Sequence, residues 1–305
     1  MDIITGGLGF IGNELTRQLL ACGRQVVILD NRRRVAPRIA DLVQVPVIEV
    51  DLTQAAAAQQ AFAGLRPENV FHLAAIHYIP ECNTHPDHAL RVNVEATQNV
   101  LDAAIAAGAR HVLTASTGAI YADSPQALAE ESLVAPVDIY GWSKVFAEEL
   151  ARWRARRGET RVTVCRFFNN YGPRETNRHI IPEIIDQLRT SDVLRLGTTN
   201  TRRDYIHTRD NAEALVRLAD LPPERERTVN IGTGVDASVD ELVALLAELL
   251  NRPLRITHDP ARVRPVDKLV QRADITRLVQ LTGWRPQVNL RDGLAELLRF
   301  EGLLP

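Results

Sequence analysis

The chain has 305 residues, enough for one large domain and a smaller partner, and its 36 basic and 38 acidic residues give a formal net charge of -2. This balance provides no overall field that would draw the protein to nucleic acid or to an anionic membrane. No apolar run approaches the roughly 20 residues of a spanning helix, so we expect a cytoplasmic protein. The three cysteines are scattered along the chain, which argues against a disulfide framework and against a structural zinc site.

Short apolar segments alternate with longer segments rich in Ala, Leu, Glu and Arg through the first half of the chain. The apolar segments predict strands at residues 1–4, 25–30, 45–50, 69–73, 111–116 and 161–167. The segments between them predict helices at residues 13–22, 54–63, 87–107 and 140–157. This alternation, with strands that are apolar on both faces, is typical of a parallel sheet covered by helices on both sides.

After Asn170 the prolines and glycines become frequent and the predicted elements become shorter. Residues 228–231 predict one more strand that returns to the sheet. Ser238 and Glu241 predict a capping box at the start of a helix that ends near Asn251. We therefore expect a second, smaller region that is interlaced with the first one.

A glycine-rich segment, TGGLGFIG at residues 5–12, lies directly after the first predicted strand and opens the first helix. Glycine is needed where backbone approaches a pyrophosphate, and a helix N-terminus offers free N–H groups. The next strand ends at Asp30, whose carboxylate can accept the ribose hydroxyls and repels a 2′-phosphate. The motif alone is weak evidence, but this context predicts a Rossmann-like fold that binds NAD in preference to NADP.

Tyr140 and Lys144 are four residues apart on a predicted helix, so their side chains emerge from one face. A neighbouring ammonium favours the phenolate, so we expect Lys144 to move the pKa of Tyr140 towards neutrality and to make it a base. The pattern Tyr-x-x-x-Lys is common on surface helices. Next to a dinucleotide-binding loop, it predicts a catalytic pair.

Motifs are spread over nearly the whole chain: TGGLGFIG at 5–12, HLAA at 72–75, VNVEAT at 92–97, YGWSK at 140–144, FFNNYGPR at 167–174 and RRDYIHTRD at 202–210. With these motifs the sequence resembles the extended short-chain dehydrogenase/reductase family, and within it the nucleotide-sugar epimerases similar to UDP-glucose 4-epimerase. We therefore predict an α/β fold with a Rossmann-like doubly wound parallel sheet and a smaller, interlaced α+β substrate domain. The NAD-binding domain would comprise residues 1–168 and about 205–232, and the nucleotide-sugar-binding domain residues 169–204 and 233–305.

The resemblance also implies the residues of the site. The catalytic residues are Tyr140, Lys144, Thr117 and Ser116. The residues that bind NAD are Gly6, Gly9, Phe10, Ile11, Gly12, Asp30, Asn31, Asp51, Leu52, Leu73, Ala74, Ala75, Asn93, Tyr140 and Lys144. The residues that it implies for the nucleotide sugar are Thr117, Tyr140, Asn169, Arg203, Arg264 and Asp267, and we add Arg178, a departure from the family pattern at the mouth of the sugar pocket. We expect no metal ion, because the histidines near residues 72–88 lack carboxylates at ligand spacing.

The type of reaction depends on two residues that follow Thr117. Related dehydratases and decarboxylases carry acidic residues there, whereas this chain has Gly118 and Ala119. Since neither can ionise, we predict a UDP-sugar 4-epimerase that forms a 4-keto intermediate. The alternatives are a nucleotide-sugar reductase, dehydrogenase or decarboxylase of the same family, and a non-catalytic NAD-binding protein.

Two further expectations concern the substrate and the assembly. Arg178 is either a solvated loop residue or a guanidinium that pairs with a C6 carboxylate, which would make the substrate a UDP-hexuronic acid such as UDP-glucuronate. The helices at 87–107 and 140–157 correspond to those that pair across a two-fold axis in similar proteins, so we expect a homodimer. We expect Trp142 and Trp284 to be packing residues.

Overall fold

A computed structural model describes residues 1–33, 35, 44–175, 177–222, 224–263 and 268–305. Its strands are β1 (Asp2–Thr5), β2 (Val26–Asp30), β3 (Val47–Glu49), β4 (Asn69–His72), β5 (His111–Thr117), β6 (Arg161–Phe167), β7 (Asn169–Tyr171), β8 (Val193–Leu196), β9 (Arg202–His207), β10 (Glu226–Ile231), β11 (Asp236–Ser238), β12 (Arg255–His258) and β13 (Val270–Gln271). Its α-helices are α1 (Phe10–Ala21), α2 (Ala55–Phe62), α3 (Ile79–Thr84), α4 (Pro86–Leu90), α5 (Ala96–Ala106), α6 (Ile139–Arg156), α7 (Ile180–Leu188), α8 (Thr208–Ala219), α9 (Val239–Leu250), α10 (Thr276–Thr282) and α11 (Leu290–Phe300).

The large sheet contains seven parallel strands within the described residues, in the order β10-β6-β5-β4-β1-β2-β3. One apolar core on this sheet includes Leu15 of α1 and Leu215 of α8, and the core on the other face includes Phe62 of α2 and Val100 of α5. The strands are buried on both sides, which explains why their sequences are apolar throughout. The predicted α/β, doubly wound class is confirmed.

A second sheet lies beyond the carboxyl end of the large one, with β9 paired to β7, β11 and β13. Helices α7, α9 and α11 cover it through a separate apolar core. The predicted capping box is present, since the Ser238 hydroxyl accepts from Glu241 N and the Glu241 carboxylate accepts from Ser238 N. Between β9 and β11 the chain returns to the large sheet through α8 and β10, so the two parts are interlaced.

The predicted continuous helix at residues 87–107 is wrong in its middle. The structure has α4, then a π-helical turn at Arg91–Glu95, and then α5. Inside this turn, Asn93 Oδ1 accepts the N–H of Ile76 at 2.8 Å and its Nδ2 donates to the Ile76 carbonyl at 2.9 Å. The wider turn brings this amide onto the segment after β4, and such π-turns are frequent at functional sites.

Candidate active site

A cleft of about 1210 Å³ opens at the carboxyl ends of the large sheet, between β1 and β4 where the strand order reverses. Ligands of open α/β sheets bind at this kind of reversal. Of the fifteen residues predicted to bind NAD, all but Asn93 line the cleft. Ser116, Thr117, Asn169, Arg178 and Arg203 line it as well. Arg264 and Asp267 lie outside the described residues.

The glycine loop needs glycine at its two ends for steric reasons. Gly6 has a φ of +71°, and a Cβ there would lie 2.9 Å from the backbone nitrogen of Ala74. A Cβ on Gly12 would collide with the carbonyl oxygen of Gly6. The loop can therefore lie directly against the segment after β4 and leave the first N–H groups of α1 facing the cleft.

Asp30 connects the end of β2 to this loop. Its Oδ2 accepts the N–H of Leu8 at 3.1 Å and its Oδ1 accepts the N–H of Arg32 at 2.7 Å. Burial raises the pKa of this carboxyl, and the two N–H donors oppose that rise. Each carboxylate oxygen retains a second acceptor site, which suits the ribose hydroxyls of NAD. The glycine cradle and Asp30 therefore fit this cofactor.

The residues predicted to be catalytic meet at the buried end of the cleft. Thr117 ends β5, and Tyr140 and Lys144 lie on the first turns of α6, which begins where Asp138 caps its N-terminus by accepting from Gly141 N at 2.7 Å. Thr117 Oγ1 accepts from Ala119 N at 3.1 Å and is hydrogen-bonded to the phenol of Tyr140. The N–H of Ala119 occupies one lone pair of the Thr117 hydroxyl oxygen. The hydroxyl proton of Thr117 is therefore available to point at the phenol oxygen of Tyr140.

The expectation that Lys144 lowers the pKa of Tyr140 is wrong. Burial raises the pKa of Tyr140 above its usual value, and the hydrogen bond from Thr117 only opposes this. Burial also lowers the pKa of Lys144 to about 8. Desolvation disfavours the charged form of both groups, and it outweighs their proximity on the helix. Tyr140 is therefore protonated at neutral pH.

Ser116 is tied to a buried ionic network. Its hydroxyl donates to the carboxylate of Glu148, which also accepts from Arg166 Nε at 2.9 Å and Nη2 at 2.7 Å. Both charged side chains are almost fully buried, at 2% and 4% exposure. Sequence reasoning missed this pair, because neither residue type marks burial in a sequence.

The second end of the cleft brings two loops together. Asn177 Nδ2 donates to His77 Nε2 at 2.8 Å, and the His77 and His179 rings lie 5.3 Å apart. Glu175 Oε2 lies 3.8 Å from His179 Nδ1. Arg178 is exposed on the same loop and borders the cleft. These side chains give this end of the cleft a polar lining that includes the guanidinium of Arg178.

Lys268 is a cleft residue that sequence reasoning missed. Its ammonium donates to the carbonyls of Ala119, at 2.7 Å, and Tyr121, while Gln271 Nε2 donates to the Gly118 carbonyl at 3.2 Å. These contacts hold the turn that follows Thr117 against the smaller sheet. A signal was present, because the chain has only two lysines and the other one is Lys144.

His72 of the HLAA motif is a neutral, hydrogen-bonded core residue. Its Nδ1 lies 2.7 Å from Thr5 Oγ1, and its Nε2 lies 2.9 Å from Thr97 Oγ1. Burial lowers its pKa to about 3. Within the described ranges, no group of three or more His, Cys, Asp or Glu side chains is arranged to hold a metal ion.

The sequence profile described as the NAD dependent epimerase/dehydratase family matches residues 3–232. The chain belongs to this family. The predicted resemblance and the NAD cofactor are thereby confirmed. Among the described residues of this family member, no helix combines the length and hydropathy needed to cross a membrane.

Relatives of this family member carry out different reactions. It is 30% identical over 317 residues to the UDP-glucose 4-epimerase of Mycolicibacterium smegmatis, covering 98% of this chain and 97% of the relative. It is 29% identical over 306 residues to the GDP-6-deoxy-D-mannose reductase of Pseudomonas aeruginosa, covering 97% and 95%. The solved structure of MoeE5 in complex with UDP-glucuronic acid and NAD matches with a TM-score of 0.88, 32% identity and 98% coverage of both chains. The protein is thus an NAD-dependent enzyme of nucleotide-sugar modification.

Proposed function

We propose that this enzyme is a UDP-sugar 4-epimerase that acts through a 4-keto intermediate. The observation that carries the proposal is the turn after Thr117, where Gly118 and Ala119 line the cleft beside the catalytic residues. A Cβ on Gly118 would lie 3.0 Å from the ring of Phe168, so even a small side chain there would crowd the cleft wall. A dehydratase or a decarboxylase needs an additional acid or base, and this turn offers none.

The chain's own residues account for the proton transfer. Tyr140 first loses its own proton to solvent, and its phenolate then takes the proton of the sugar 4-hydroxyl, while Thr117 donates a hydrogen bond that orients the phenol oxygen. The Lys144 ammonium stabilises the phenolate before this transfer. Bound NAD supplies the acceptor, and later the donor, of the hydride at C4. If the keto-sugar presents its other face before reduction, C4 is inverted and the cofactor is regenerated.

Residues 1–168 and 205–232 would form the NAD-binding part, and 169–204 and 233–305 the nucleotide-sugar part. Strand β9 crosses this boundary, since Arg202–His207 pairs within the smaller sheet. Asn169 of β7 and Arg203 of β9 line the cleft and would contact the nucleoside diphosphate, to which arginine offers paired N–H donors. Arg264 and Asp267 are proposed for the same ligand.

A homodimer is the assembly that the surface of α6 favours. Trp142, Phe146 and Trp153 are 46%, 48% and 47% exposed, and the first two rings lie 6.1 Å apart. Trp284 is buried as predicted, but Trp142 packs in no core of the described chain. Large exposed aromatic side chains on one helix face are typical of protein interfaces. A second copy of α6 would cover this face.

A UDP-hexuronic acid is a second candidate substrate. Arg178 borders the cleft on the loop that carries His179, and MoeE5 was solved with UDP-glucuronic acid. A guanidinium is suited to bind a C6 carboxylate through two N–H groups.

Mass spectrometry of the purified protein for retained NAD and nucleotide sugar, followed by NMR of the products from a panel of UDP-sugars, tests the proposed function. An epimerase turns over without added cofactor and forms a product of unchanged mass. A reductase consumes reduced cofactor, and a decarboxylase forms a lighter sugar. A non-catalytic protein forms no product from any member of the panel.

A further inference from the structure

A buried carboxylate lies one helical turn beyond Lys144. Glu148 is 2% exposed and accepts hydrogen bonds from three side chains on three elements: Ser116 on β5, Arg166 on β6 and Arg152 on α6. Arg166 pairs with both of its oxygens, and Arg152 Nη2 lies 2.9 Å from Oε2. A carboxylate with this many donors in a water-excluded place has one orientation.

The bond to Ser116 fixes the part of β5 that carries the catalytic contacts. The residue before Ser116 is Ala115, whose carbonyl accepts from Lys144 Nζ at 3.0 Å. The residue after it is Thr117, which is hydrogen-bonded to Tyr140. Because the three residues are consecutive in one strand, a shift of Ser116 moves both contacts.

The charge of Glu148 also acts on Lys144. Burial lowers the pKa of Lys144 to about 8, while the Cys82 side chain and then the Glu148 side chain raise it. The other titratable groups near the ammonium are Tyr140 on the same helix, protonated at neutral pH, and His72 on β4, which burial keeps neutral. Cys82 is also buried, and of the two side chains that raise the pKa of Lys144, Glu148 is the carboxylate that pairs with two arginines.

We propose that Glu148 is a positioning residue for proton transfer: through Ser116 it fixes Ala115 and Thr117, and through its charge it stabilises the ammonium of Lys144. This inference rests on the proposed roles of Thr117, Tyr140 and Lys144. Arg166 and Arg152 hold the carboxylate from the side away from the cleft, and they compensate its burial.

The charge effect is tested on Lys144 directly, without substrate. The chain has two lysines, so the protein labelled with ε-13C lysine gives two signals, and a Lys268→Arg variant assigns them. In Glu148→Gln the titration midpoint of Lys144 falls by about one pH unit, the lower range for loss of a nearby opposite charge. The matched control is Glu149→Gln, whose carboxylate is next in the helix but 56% exposed, and it leaves the midpoint unchanged. An unchanged midpoint in folded Glu148→Gln overturns the proposal.

The positional effect is tested with Ser116→Ala, which keeps the carboxylate. It lowers kcat roughly tenfold or more, because the two contacts on β5 are less well aligned, and it leaves KM and the Lys144 midpoint as they are. A wild-type kcat in Ser116→Ala overturns the proposal. This test does not depend on the Glu148→Gln variant and can be made even if that variant does not fold. The NMR titration needs no turnover, so it remains decisive even if the wild type is not an epimerase.

Discussion

The ammonium of Lys144 on α6 donates to the carbonyl oxygen of Ala115 on β5 at 3.0 Å. Both residues line the cleft, and the bond joins the helix that carries Tyr140 to the strand that ends at Thr117. A charged lysine makes this contact more strongly than a neutral one. The protonation state of Lys144 therefore affects the geometry of the site as well as its charge.

We predict that kcat/KM falls as the pH rises above about 8. Burial lowers the pKa of Lys144 to about 8, so its ammonium is present below that pH and is lost above it. Lys144→Arg has a lower kcat, but it shows no such loss up to about pH 10, because a guanidinium stays protonated. Rate profiles of both proteins between pH 6 and 10 check this. A wild-type rate that keeps rising to pH 10 would contradict it.

Tyr140→Phe is expected to bind NAD as the wild type does and to turn over roughly 10²- to 10⁴-fold more slowly, because only the proton-transfer group is removed. Calorimetry gives the NAD affinity, and product NMR gives the rate. Tyr171→Phe is the matched control, since this buried phenol does not line the cleft and contacts the Asn289 carbonyl at 3.5 Å. Near wild-type turnover in Tyr140→Phe would remove Tyr140 from the catalytic set.

Asp30→Ala is expected to weaken NAD binding about tenfold or more. It is also expected to reduce the factor by which the protein binds NAD more tightly than NADP. Its carboxylate provides the acceptor for the ribose and the charge that repels a 2′-phosphate. Titration with both dinucleotides measures the two effects. Glu49→Ala removes a nearby carboxylate that is 67% exposed and should change neither affinity. Equal affinities in wild type and Asp30→Ala would refute the assignment.

Arg178→Ala is expected to lower kcat/KM for UDP-glucuronate roughly 10- to 100-fold and to leave UDP-glucose little changed, if the guanidinium binds the C6 carboxylate. Arg189→Ala serves as control, because this arginine pairs with Glu301 away from the cleft. A wild type that prefers UDP-glucose, or equal losses for both sugars, would leave Arg178 as a solvated loop residue.

Replacing Trp142 and Phe146 together by glutamate is expected to convert a dimer into a monomer, since two charges would enter the proposed interface. Light scattering at micromolar concentration measures the mass. Leu20→Glu adds a charge on α1, at a side chain that is 40% exposed, and should leave the dimer intact. A monomeric wild type would rule out the proposed assembly.

The large sheet and the cleft could be predicted from the sequence because their signals are local. The glycines of residues 6–12, the carboxylate at the end of β2 and the Tyr140 and Lys144 pair each depend on short spacings that follow from helix and strand geometry. The π-turn at Arg91–Glu95 could not be predicted, since its sequence is compatible with an ordinary helix.

The pKa values of the site residues depend on how deeply their side chains are buried, and burial cannot be read from the sequence. The helical spacing of Tyr140 and Lys144 suggests a lowered phenol pKa, but desolvation raises it instead. The Glu148 and Arg166 pair joins residues on different elements, and the contacts of Lys268 bring residues nearly 150 positions apart together. Trp142 lies outward because the opposite face of α6 packs on the sheet.

The proposed 4-epimerase inverts C4 of a UDP-sugar by loss and return of the same hydrogen. Incubation of the purified enzyme with UDP-[4-2H]glucose and UDP-[4-2H]glucuronate, without added cofactor, tests it by NMR and mass spectrometry. We predict a C4-inverted product from at least one of them, with the same mass and with deuterium retained at C4. A product with deuterium moved to another carbon, with altered mass, or formed only with added reduced cofactor would contradict the claim.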